Sequence, residues 1–265
     1  MQIAVRVFAG IPWLALTALA ALTLAERRWP ARLERAPRVL NLGIFGVLTI
    51  LQRTAVPLVM AALSAWAAWL AIPSLHIGKW PLWLSAPLLL VSLDLCEYLY
   101  HRAQHAIPWL WRRHALHHSD PCMNATTTER HWWGDLVLKA ILFNAPLAVL
   151  LQPSVVDYAI YAVISFYNFF THANLRVNFG RWSWALNSPA YHRLHHAREA
   201  RYYGANYAAL FPLFDVILGS YRRPLAYVET GQDREPRSIL EALTWPPTGQ
   251  PPRPSHASAS EPKVV

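Results

Sequence analysis

Histidines in this chain recur in three short motifs with helical spacing. Residues 101–105 read HRAQH, residues 114–118 read HALHH and residues 192–196 read HRLHH. On a helix, residues three or four positions apart share a face, so each motif presents imidazoles side by side. Imidazole binds zinc, copper, iron and nickel, whereas the same rings packed together as cations would repel one another. The motifs therefore predict a metal site built from neutral histidines.

Nine of the twelve histidines belong to this pattern, counting one that lies between the second and third motifs. Nine ligands are more than one ion accepts, so the sequence favours two ions that share them, each with an open position. The predicted metal ligands are His101, His105, His114, His117, His118, His172, His192, His195 and His196.

The elements that must position these histidines are long and apolar. Hydrophobic residues make up 54% of the chain and charged residues only 15%, which is atypical of a soluble protein. We therefore expect an all-α fold, an integral-membrane helical bundle with about four to five membrane segments and a cytoplasmic helical cap that holds the two-metal site. Apolar stretches of spanning or nearly spanning length lie at residues 11–24, 54–72, 81–99, 136–151 and 154–170.

Arginines indicate the orientation of this bundle. Residues 27–38 contain five of them directly after the first apolar stretch, and short basic loops stay in the cytoplasm. The rule places residues 101–135 and everything after residue 170 on the cytoplasmic side. The net charge of +9 then suits anionic lipid neighbours rather than nucleic acid. An alanine- and arginine-rich composition favours a bacterial inner membrane.

Composition divides the chain into three parts. Residues 1–38 would form a retained membrane anchor and a basic cytoplasmic loop, since no small-residue cleavage site follows the first apolar stretch. Residues 39–223 would form the metal-bearing membrane domain. Residues 224–265 would be a C-terminal extension with a short helix around 238–243, disordered from about residue 246 because Pro and Ser dominate there.

A polar stripe leads from the third apolar stretch into the first histidine motif. One face of a single helix would carry Asp94, Tyr98, His101 and His105. With these residues the chain resembles the fatty acid hydroxylase superfamily, also called the sterol desaturase family, integral-membrane enzymes with a histidine-rich di-iron site. The resemblance covers about residues 40–222. Further similar segments are LWRRHALHHSD (110–120), residues 127–131, NFFTHANLR (168–176), SPAYHRLHH (188–196) and NYAALFPLFDVILGSY (206–221).

The resemblance implies oxygen-dependent hydroxylation or desaturation of an alkyl chain or ring in a lipid, such as a fatty acyl chain or a sterol. Two iron ions, cycling between Fe2+ and Fe3+, would act with O2 as co-substrate, and the nine histidines match the family's ligand positions. Asp94 and Asp215 would accept the second N–H of ligand imidazoles, or would cap a helix or pair with an arginine instead. Residues expected to support the ligands are Asp94, Tyr98, Asn206 and Asp215.

Two positions depart from the family's pattern. The family tends to follow the histidine at position 131 with proline and an acidic residue, whereas Trp132, Trp133 and Gly134 follow here. This difference favours a supporting or interface role for His131 over a role as ligand. Gly204 stands where the family usually has an aspartate, so no carboxylate is expected to support the ligands there.

Two other classes of protein compete with this interpretation. A haem-carrying electron-transfer protein would place histidine pairs opposite each other across spans, whereas here they follow span ends. A metal transporter would place polar ligands near the bilayer midplane, where the sequence offers few. A zinc protease is excluded because the chain has no HExxH motif.

Electrons would come from a separate protein. The chain shows no Rossmann glycine fingerprint, no cysteine cluster and no haem domain, and Cys96 and Cys122 would remain free thiols. A reductase acting with a ferredoxin or a cytochrome is therefore expected. Tryptophans flank the histidine motifs, and an interfacial belt explains them better than a lipid slot. They are Trp109, Trp111, Trp132, Trp133, Trp182 and Trp184.

Overall fold

The structure, a computed structural model, describes residues 2–33 and 38–245, with side chains from residue 13 onward. Within these ranges the fold is helical, and the only β-type pairings are two isolated bridges. The all-α prediction is therefore confirmed for the described part of the chain. Its α-helices are α1 (Gln2–Arg28), α2 (Val39–Trp69), α3 (Leu82–Ala106), α4 (Pro108–His114), α5 (Gly134–Lys139), α6 (Ala145–Leu151), α7 (Val155–Ser165), α8 (Tyr167–His172), α9 (Pro189–His195), α10 (Leu213–Leu218) and α11 (Ile239–Leu243). Short 3-10 helices lie at Ile77–Lys79, His117–Ser119, Ala125–Glu129, Gly180–Trp182 and Ala200–Tyr202.

Three helical segments are long and apolar enough to cross a membrane. They are α2, α3 and the run Gly134–Leu151, in which a π-helical turn at Ala140–Asn144 joins α5 to α6. Large apolar side chains on these segments, such as Leu58, Trp66 and Trp83, are more than half exposed, as expected of residues that face lipid. Length, composition and exposure therefore agree with an integral membrane protein.

The other two predicted membrane segments are not among these three. Residues 11–24 lie within α1, whose first side chains fall outside the described ones. Residues 154–170 form two helices rather than one, because a turn at Phe166, whose N–H donates to Val163 O, separates them. With 11 and 6 residues, α7 and α8 are each too short to span a bilayer. The count of four to five segments stays a prediction.

The three spanning segments share one end of the bundle, called here the histidine end. α2 begins there, α3 ends there and α5 begins there. A buried polar network joins α2 to the loop after the second histidine motif. The Asn41 side chain donates to Asp120 (3.1 Å) and accepts from Arg130 (2.9 Å). Arg130 is 1% exposed and lies 4.0 Å from Asp120, so the two charges compensate each other.

At the opposite end, two connecting segments pair through their backbones. The N–H of Leu75 donates to Leu150 O at 2.8 Å, and the N–H of Gly78 donates to Gln152 O at 3.1 Å. A Cβ at position 78 would lie 2.7 Å from the backbone nitrogen of Ser154. Only glycine permits this approach, which aligns the start of α3 with the start of α7.

A buried carboxylate attaches α1 to the histidine end. One oxygen of Glu26 accepts from the backbone N–H groups of Ala125 and Asn174, each at 2.8 Å. The other oxygen pairs with Arg38 at 2.6 Å. The N-terminal helix is thereby tied to the segments that flank two of the histidine positions.

The C-terminal part of the described chain also packs at this end. Ala242 and Trp245 are buried against Ile44, Leu48 and Leu116. α11 occupies the place of the short helix expected around residues 238–243. The tail predicted to be disordered, from residue 246 onward and including His256, lies outside the described residues, as do residues 34–37. The three-part division of the chain stays a prediction.

Candidate metal site

The first histidine motif lies on the last two turns of α3. His101 and His105 follow Asp94 and Tyr98 along one face, and all four except His101 are buried. The polar stripe expected from the spacing is therefore present. A spanning helix carries two imidazoles directly to the end of the bundle.

The second motif does not lie on one continuous helix, although its first and last histidines, His114 and His118, stay together as the spacing predicts. α4 ends at His114, and a separate 3-10 helix carries His117 and His118. The rings of these two neighbours are nearly perpendicular, with an interplanar angle of 88°. A 3-10 helix has about three residues per turn, so it aims adjacent side chains in more divergent directions than an α-helical face would. The motif can therefore serve two groups of ligands at once.

The third motif begins at a capped helix. Ser188 accepts from the backbone N–H of Tyr191 at 3.3 Å, and Pro189 occupies the first helical position, where its missing N–H is no loss. α9 ends at His195 and His196 follows directly. The short helix is fully buried, so its imidazoles are held against those of α3 and α8.

All nine predicted ligands come together in two adjoining groups. Within each group the nitrogen atoms lie within 4.8 Å of one another. Every one of these residues except His101 is buried. One group contains His101, His105, His114, His118 and His195. The other contains His117, His172, His192 and His196.

Spacing between the imidazoles fits metal ligation. Two nitrogen ligands at about 2.1 Å from one ion lie about 3.0 to 3.4 Å apart at octahedral to tetrahedral angles. Five Nε2–Nε2 distances in the structure fall between 3.0 and 3.3 Å. The pairs are His101–His114, His114–His118, His117–His172, His172–His192 and His192–His196.

Backbone carbonyls fix the tautomer of three of the rings. Nδ1 of His101 lies 2.7 Å from Tyr207 O, and Nδ1 of His195 lies 2.8 Å from Ala205 O. Nδ1 of His172 lies 2.8 Å from Asn168 O in the same way. A carbonyl only accepts, so each Nδ1 carries the proton and each Nε2 presents a lone pair to its group. Nε2 of His195 is buried without a hydrogen-bond partner among the described residues, an orphaned acceptor that a metal ion would satisfy.

Burial keeps these imidazoles neutral. It lowers the pKa of His195 from 6.5 to about 4 and that of His172 to about 3. For five others, burial first and neighbouring histidines second hold the pKa well below 6.5. Neutral imidazole is the metal-binding form, so the site is preset for ligation at neutral pH. These five are His114, His117, His118, His192 and His196.

The two predicted supporting aspartates act through a loop rather than by touching imidazoles. Asp94 accepts from the backbone N–H groups of Leu210 and Phe211, each at 3.0 Å. Asp215 accepts from the N–H groups of Tyr207 (2.9 Å) and Ala208 (2.8 Å). Peptide carbonyls of the same loop, not these carboxylates, receive the imidazole N–H groups. The aspartates thus position the loop that orients the ligands.

The other two supporting candidates belong to the same arrangement. The hydroxyl of Tyr98 lies 2.7 Å from Ser220 Oγ, which in turn donates to Asp215 at 2.6 Å. Asn206 has a left-handed backbone (φ 61°) and accepts from the N–H of Arg222 at 2.7 Å. Tyr191 of α9 donates its hydroxyl to Asp215 as well. Burial raises the pKa of Asp215, an effect opposed by these donors.

Replacing Asp215 with alanine is expected to weaken metal binding about 10- to 100-fold, because the loop bearing the Tyr207 carbonyl loses its main acceptor. Metal content after dialysis against graded chelator measures this change. Asp157→Ala is a matched control, since Asp157 is a buried carboxylate at the opposite end that accepts from Ser85 and Ser154 at 2.6 Å. Equal loss of metal from both variants would contradict the positioning role.

His131 lies beside the nine histidines without joining either group. Its ring stacks on His117 with centroids 4.2 Å apart and planes 13° apart. Its Nδ1 is 3.7 Å from a carboxylate oxygen of Asp135, and these two residues form a further potential ligand set with His114. The supporting role expected for His131 stays a prediction.

Asp135 is a site residue that the sequence reasoning missed. It accepts from Tyr100 at 2.8 Å and from Gln104 at 3.3 Å, both on the last turns of α3. Its other oxygen is buried without a hydrogen bond and faces His131. The sequence contains one signal for this role, since Asp135 is an acidic residue four positions after His131 and lies in the first turn of α5.

A small cavity adjoins the five-histidine group. His105, His118 and His195 line its inner wall, together with Trp111. Gly204, Gly231 and Gln232 lie on the other side, so the segment after residue 223 forms part of the enclosure. Gly231 has φ +96°, and a Cβ there would lie 2.7 Å from the backbone of Pro121. Gly204, the position without the expected aspartate, leaves this wall free of carboxylates.

Most of the flanking tryptophans face outward. Exposure of 40% to 56% for four of the six agrees with an interfacial belt. Trp111 differs, because its ring centroid is 4.9 Å from that of His105 and it lines the cavity. The four exposed residues are Trp109, Trp133, Trp182 and Trp184.

The arrangement of the histidines agrees with one known family. A sequence model described as fatty acid hydroxylase matches residues 86–220, just over half of the 265 residues. The chain belongs to the fatty acid hydroxylase family. The matched range begins within α3 and ends just after α10, so it includes all nine histidines. The resemblance found in the sequence is thereby confirmed.

Individual relatives carry names of lipid-modifying enzymes. The chain is 31% identical over 147 residues to an alkylglycerol monooxygenase of Xenopus tropicalis, covering 54% of this chain and 31% of that protein. It is 32% identical over 146 residues to the ornithine lipid hydroxylase OlsE of Rhizobium tropici, covering 55% of this chain and 44% of that protein. It is 29% identical over 145 residues to the very-long-chain aldehyde decarbonylase CER1 of Arabidopsis thaliana, covering 49% of this chain and 23% of that protein.

These matches span less than half the length of each relative. No solved structure matches the chain. Family membership rests on residues 86–220, which include all nine histidines.

Proposed function

We propose that this protein is a membrane-bound, O2-dependent oxidoreductase that hydroxylates or desaturates an alkyl chain or ring of a lipid. The observation that carries the proposal is the pair of adjoining histidine groups at the shared end of three spanning segments. Family membership and the lipid-related names of the relatives support it. The substrate would be a fatty acyl chain, a sterol or a related lipid.

The cofactor we propose is a pair of iron ions held by the nine histidines. The five-histidine and four-histidine groups each offer enough nitrogen donors for one ion with an open position. When bound, the iron pair supplies the oxidising chemistry with O2, and a separate reductase with a ferredoxin or a cytochrome supplies the electrons.

Residues of the chain would perform three tasks in this reaction. The neutral imidazoles hold both ions, and the carbonyls of Ala205 and Tyr207 keep His195 and His101 in the ligating orientation. Burial of the groups excludes bulk water, which protects reactive species from side reactions. The cavity beside His105 leaves room for O2 or for a lipid carbon next to one group.

The location we propose is an inner bacterial membrane, with the histidine end on the cytoplasmic side. Arginines support this orientation, since Arg102, Arg112 and Arg113 lie at that end whereas Lys79 is the cation of the opposite connection. Lipid would reach a site at this depth from the membrane, and soluble electron carriers would reach it from the cytoplasm.

Comparative lipid mass spectrometry tests the proposal. Cells that express the gene should contain a lipid class that has gained 16 mass units or lost 2 relative to cells without it. Growth under 18O2 should raise the mass of a hydroxylated product by 2 further mass units. A haem absorption band in the purified protein, or metal flux in vesicles without any lipid product, would instead reject the proposal in favour of an electron-transfer protein or a transporter.

A further inference from the structure

A second, open recess lies between α3, α7 and α8. It is separate from the cavity that adjoins the five-histidine group, because its walls contain none of the nine histidines. It nonetheless adjoins them, since Asn168 lines the recess and its carbonyl accepts from His172 at 2.8 Å. Polar atoms are provided by Asp94, Glu97, Tyr161, Ser165, Tyr167 and Asn168.

An ion pair between two candidate membrane-spanning segments borders this recess. Glu97 of α3 and Lys139 of α5 lie 2.6 Å apart, and both belong to spanning segments. Their side chains are 23% and 24% exposed, so neither is sealed within the protein. Ionisable residues in membrane segments are costly and usually serve a function. Neither residue hydrogen-bonds to a histidine, so ligand support does not explain the pair.

The recess contains a carboxylate oxygen that is open to a ligand. Only one oxygen of Glu97 is used by Lys139, and the other has no hydrogen bond among the described residues. The hydroxyl of Ser165 donates to Ala162 O at 2.7 Å, which leaves its lone pairs available. The hydroxyl of Tyr161, which can accept as well as donate, also lines the recess. A group that donates hydrogen bonds would satisfy these atoms in an environment without water.

Charge points to the same kind of group. Asp94 and Glu97 both line the recess, whereas Lys139 is the single cation beside them. Asp94 is already satisfied by two backbone N–H groups, so Glu97 is the carboxylate that remains open to a ligand. A purely accepting group could use the Tyr161 hydroxyl, but it would leave this carboxylate oxygen without a donor.

We propose that this recess binds the polar head of the lipid substrate through a hydrogen-bond-donating ammonium or hydroxyl group, with Glu97 as the specificity-determining residue. Glu97 lies one helical turn, about 6 Å, before His101 along α3. A lipid held there places carbons near its head group, rather than the middle of its tail, beside the histidines. The identification of the bound lipid as the substrate rests on the proposed function.

Binding of three simple amphiphiles to the purified, metal-loaded full-length protein tests the proposal. Hexadecylamine and hexadecanol donate hydrogen bonds, whereas hexadecyl methyl ether only accepts them. The first two should raise the thermal unfolding temperature more than the ether does, corresponding to about tenfold tighter binding. Stabilisation by the amine alone would identify the head group as cationic, and stabilisation by both would identify a hydroxyl-tolerant site.

The decisive variant is Glu97→Gln combined with Lys139→Gln, which removes the pair without leaving one charge buried alone. This double variant should bind all three amphiphiles with similar affinity. Arg234→Gln with Glu241→Gln is the matched control, because it removes a 2.8 Å ion pair far from the recess and should keep the preference. Tyr161→Phe provides a milder second variant if the double substitution does not fold.

Equal binding of all three amphiphiles to the unchanged protein would overturn the proposal, as would a preference that survives in both recess variants. This measurement needs no turnover, so its failure is distinguishable from failure of the proposed oxidation. If turnover is observed, tandem mass spectrometry should place the new oxygen or double bond within a few carbons of the head group. Oxidation in the middle of the tail would also overturn the inference.

Discussion

Replacing His117 with alanine is expected to lower bound iron from about two ions to about one per chain and to abolish lipid oxidation. His117 belongs to the four-histidine group, where loss of one ligand leaves three. His195→Ala leaves four ligands in the other group, as many as the intact four-histidine group has, so it should abolish lipid oxidation but lower bound iron less than His117→Ala does. The measurement combines iron content by elemental mass spectrometry with O2-dependent product formation in reconstituted membranes.

His76→Ala is the control for both variants. His76 is exposed at the opposite end of the bundle, before the helix Ile77–Lys79, and belongs to neither group. It should retain both ions and full activity. Full oxygen-dependent turnover by His117→Ala or His195→Ala would reject the two-metal proposal. Loss of both ions from either variant would show that the two groups fill cooperatively.

Acid is expected to destabilise the metal-free protein steeply below about pH 6.5. Burial lowers the pKa of His195 to about 4 and that of His172 to about 3, whereas in the unfolded chain both titrate near 6.5. Between these values the unfolded state binds protons that the folded state does not. Stability is therefore present above pH 6.5 and is lost as the pH falls, by about 1.4 kcal/mol per pH unit for each group.

Denaturant titration of chelator-treated protein in detergent, at several pH values between 7.5 and 4.5, measures this slope. A variant with His172→Gln and His195→Gln should show a shallower dependence, because it has two fewer groups to protonate. His76→Gln should leave the slope unchanged, since that side chain is exposed. Bound metal should oppose this loss of stability at low pH, because protons and metal ions compete for the same imidazole nitrogens. A flat profile across this range would contradict the neutral, buried state of the cluster.

The sequence predicts the ligands well because their identity depends on residue type and helical spacing. HRAQH continues a spanning helix, as its register with Asp94 and Tyr98 indicates. In both HxxHH motifs the first and last histidines join one group and the middle histidine joins the other, as the helical spacing indicates. Which motif supplies which group could not be predicted, because it depends on how α3, α8 and α9 pack against the second motif.

Support of the ligands illustrates a second limit of sequence reasoning. Aspartates are the side chains usually expected to accept an imidazole N–H, so Asp94 and Asp215 are natural candidates. The carbonyls of Ala205 and Tyr207 take that place, and any residue type supplies a carbonyl. Their role follows from the path of the loop, which composition and spacing do not reveal. Asp135 was missed for a related reason, since its partners Tyr100 and Gln104 lie more than thirty positions earlier in the chain.

The buried carboxylate of Glu26 has a consequence for the order of events during synthesis. Its two backbone donors, Ala125 and Asn174, follow it by 99 and 148 positions. At about 5 to 20 residues per second, the second donor emerges roughly 7 to 30 s after Glu26. Arg38 follows by only 12 positions, so it is synthesised within about 1 to 2 s. The salt bridge with Arg38 can therefore form first and compensate the charge of the Glu26 carboxylate until the later segments, which carry the histidines, supply the two backbone donors.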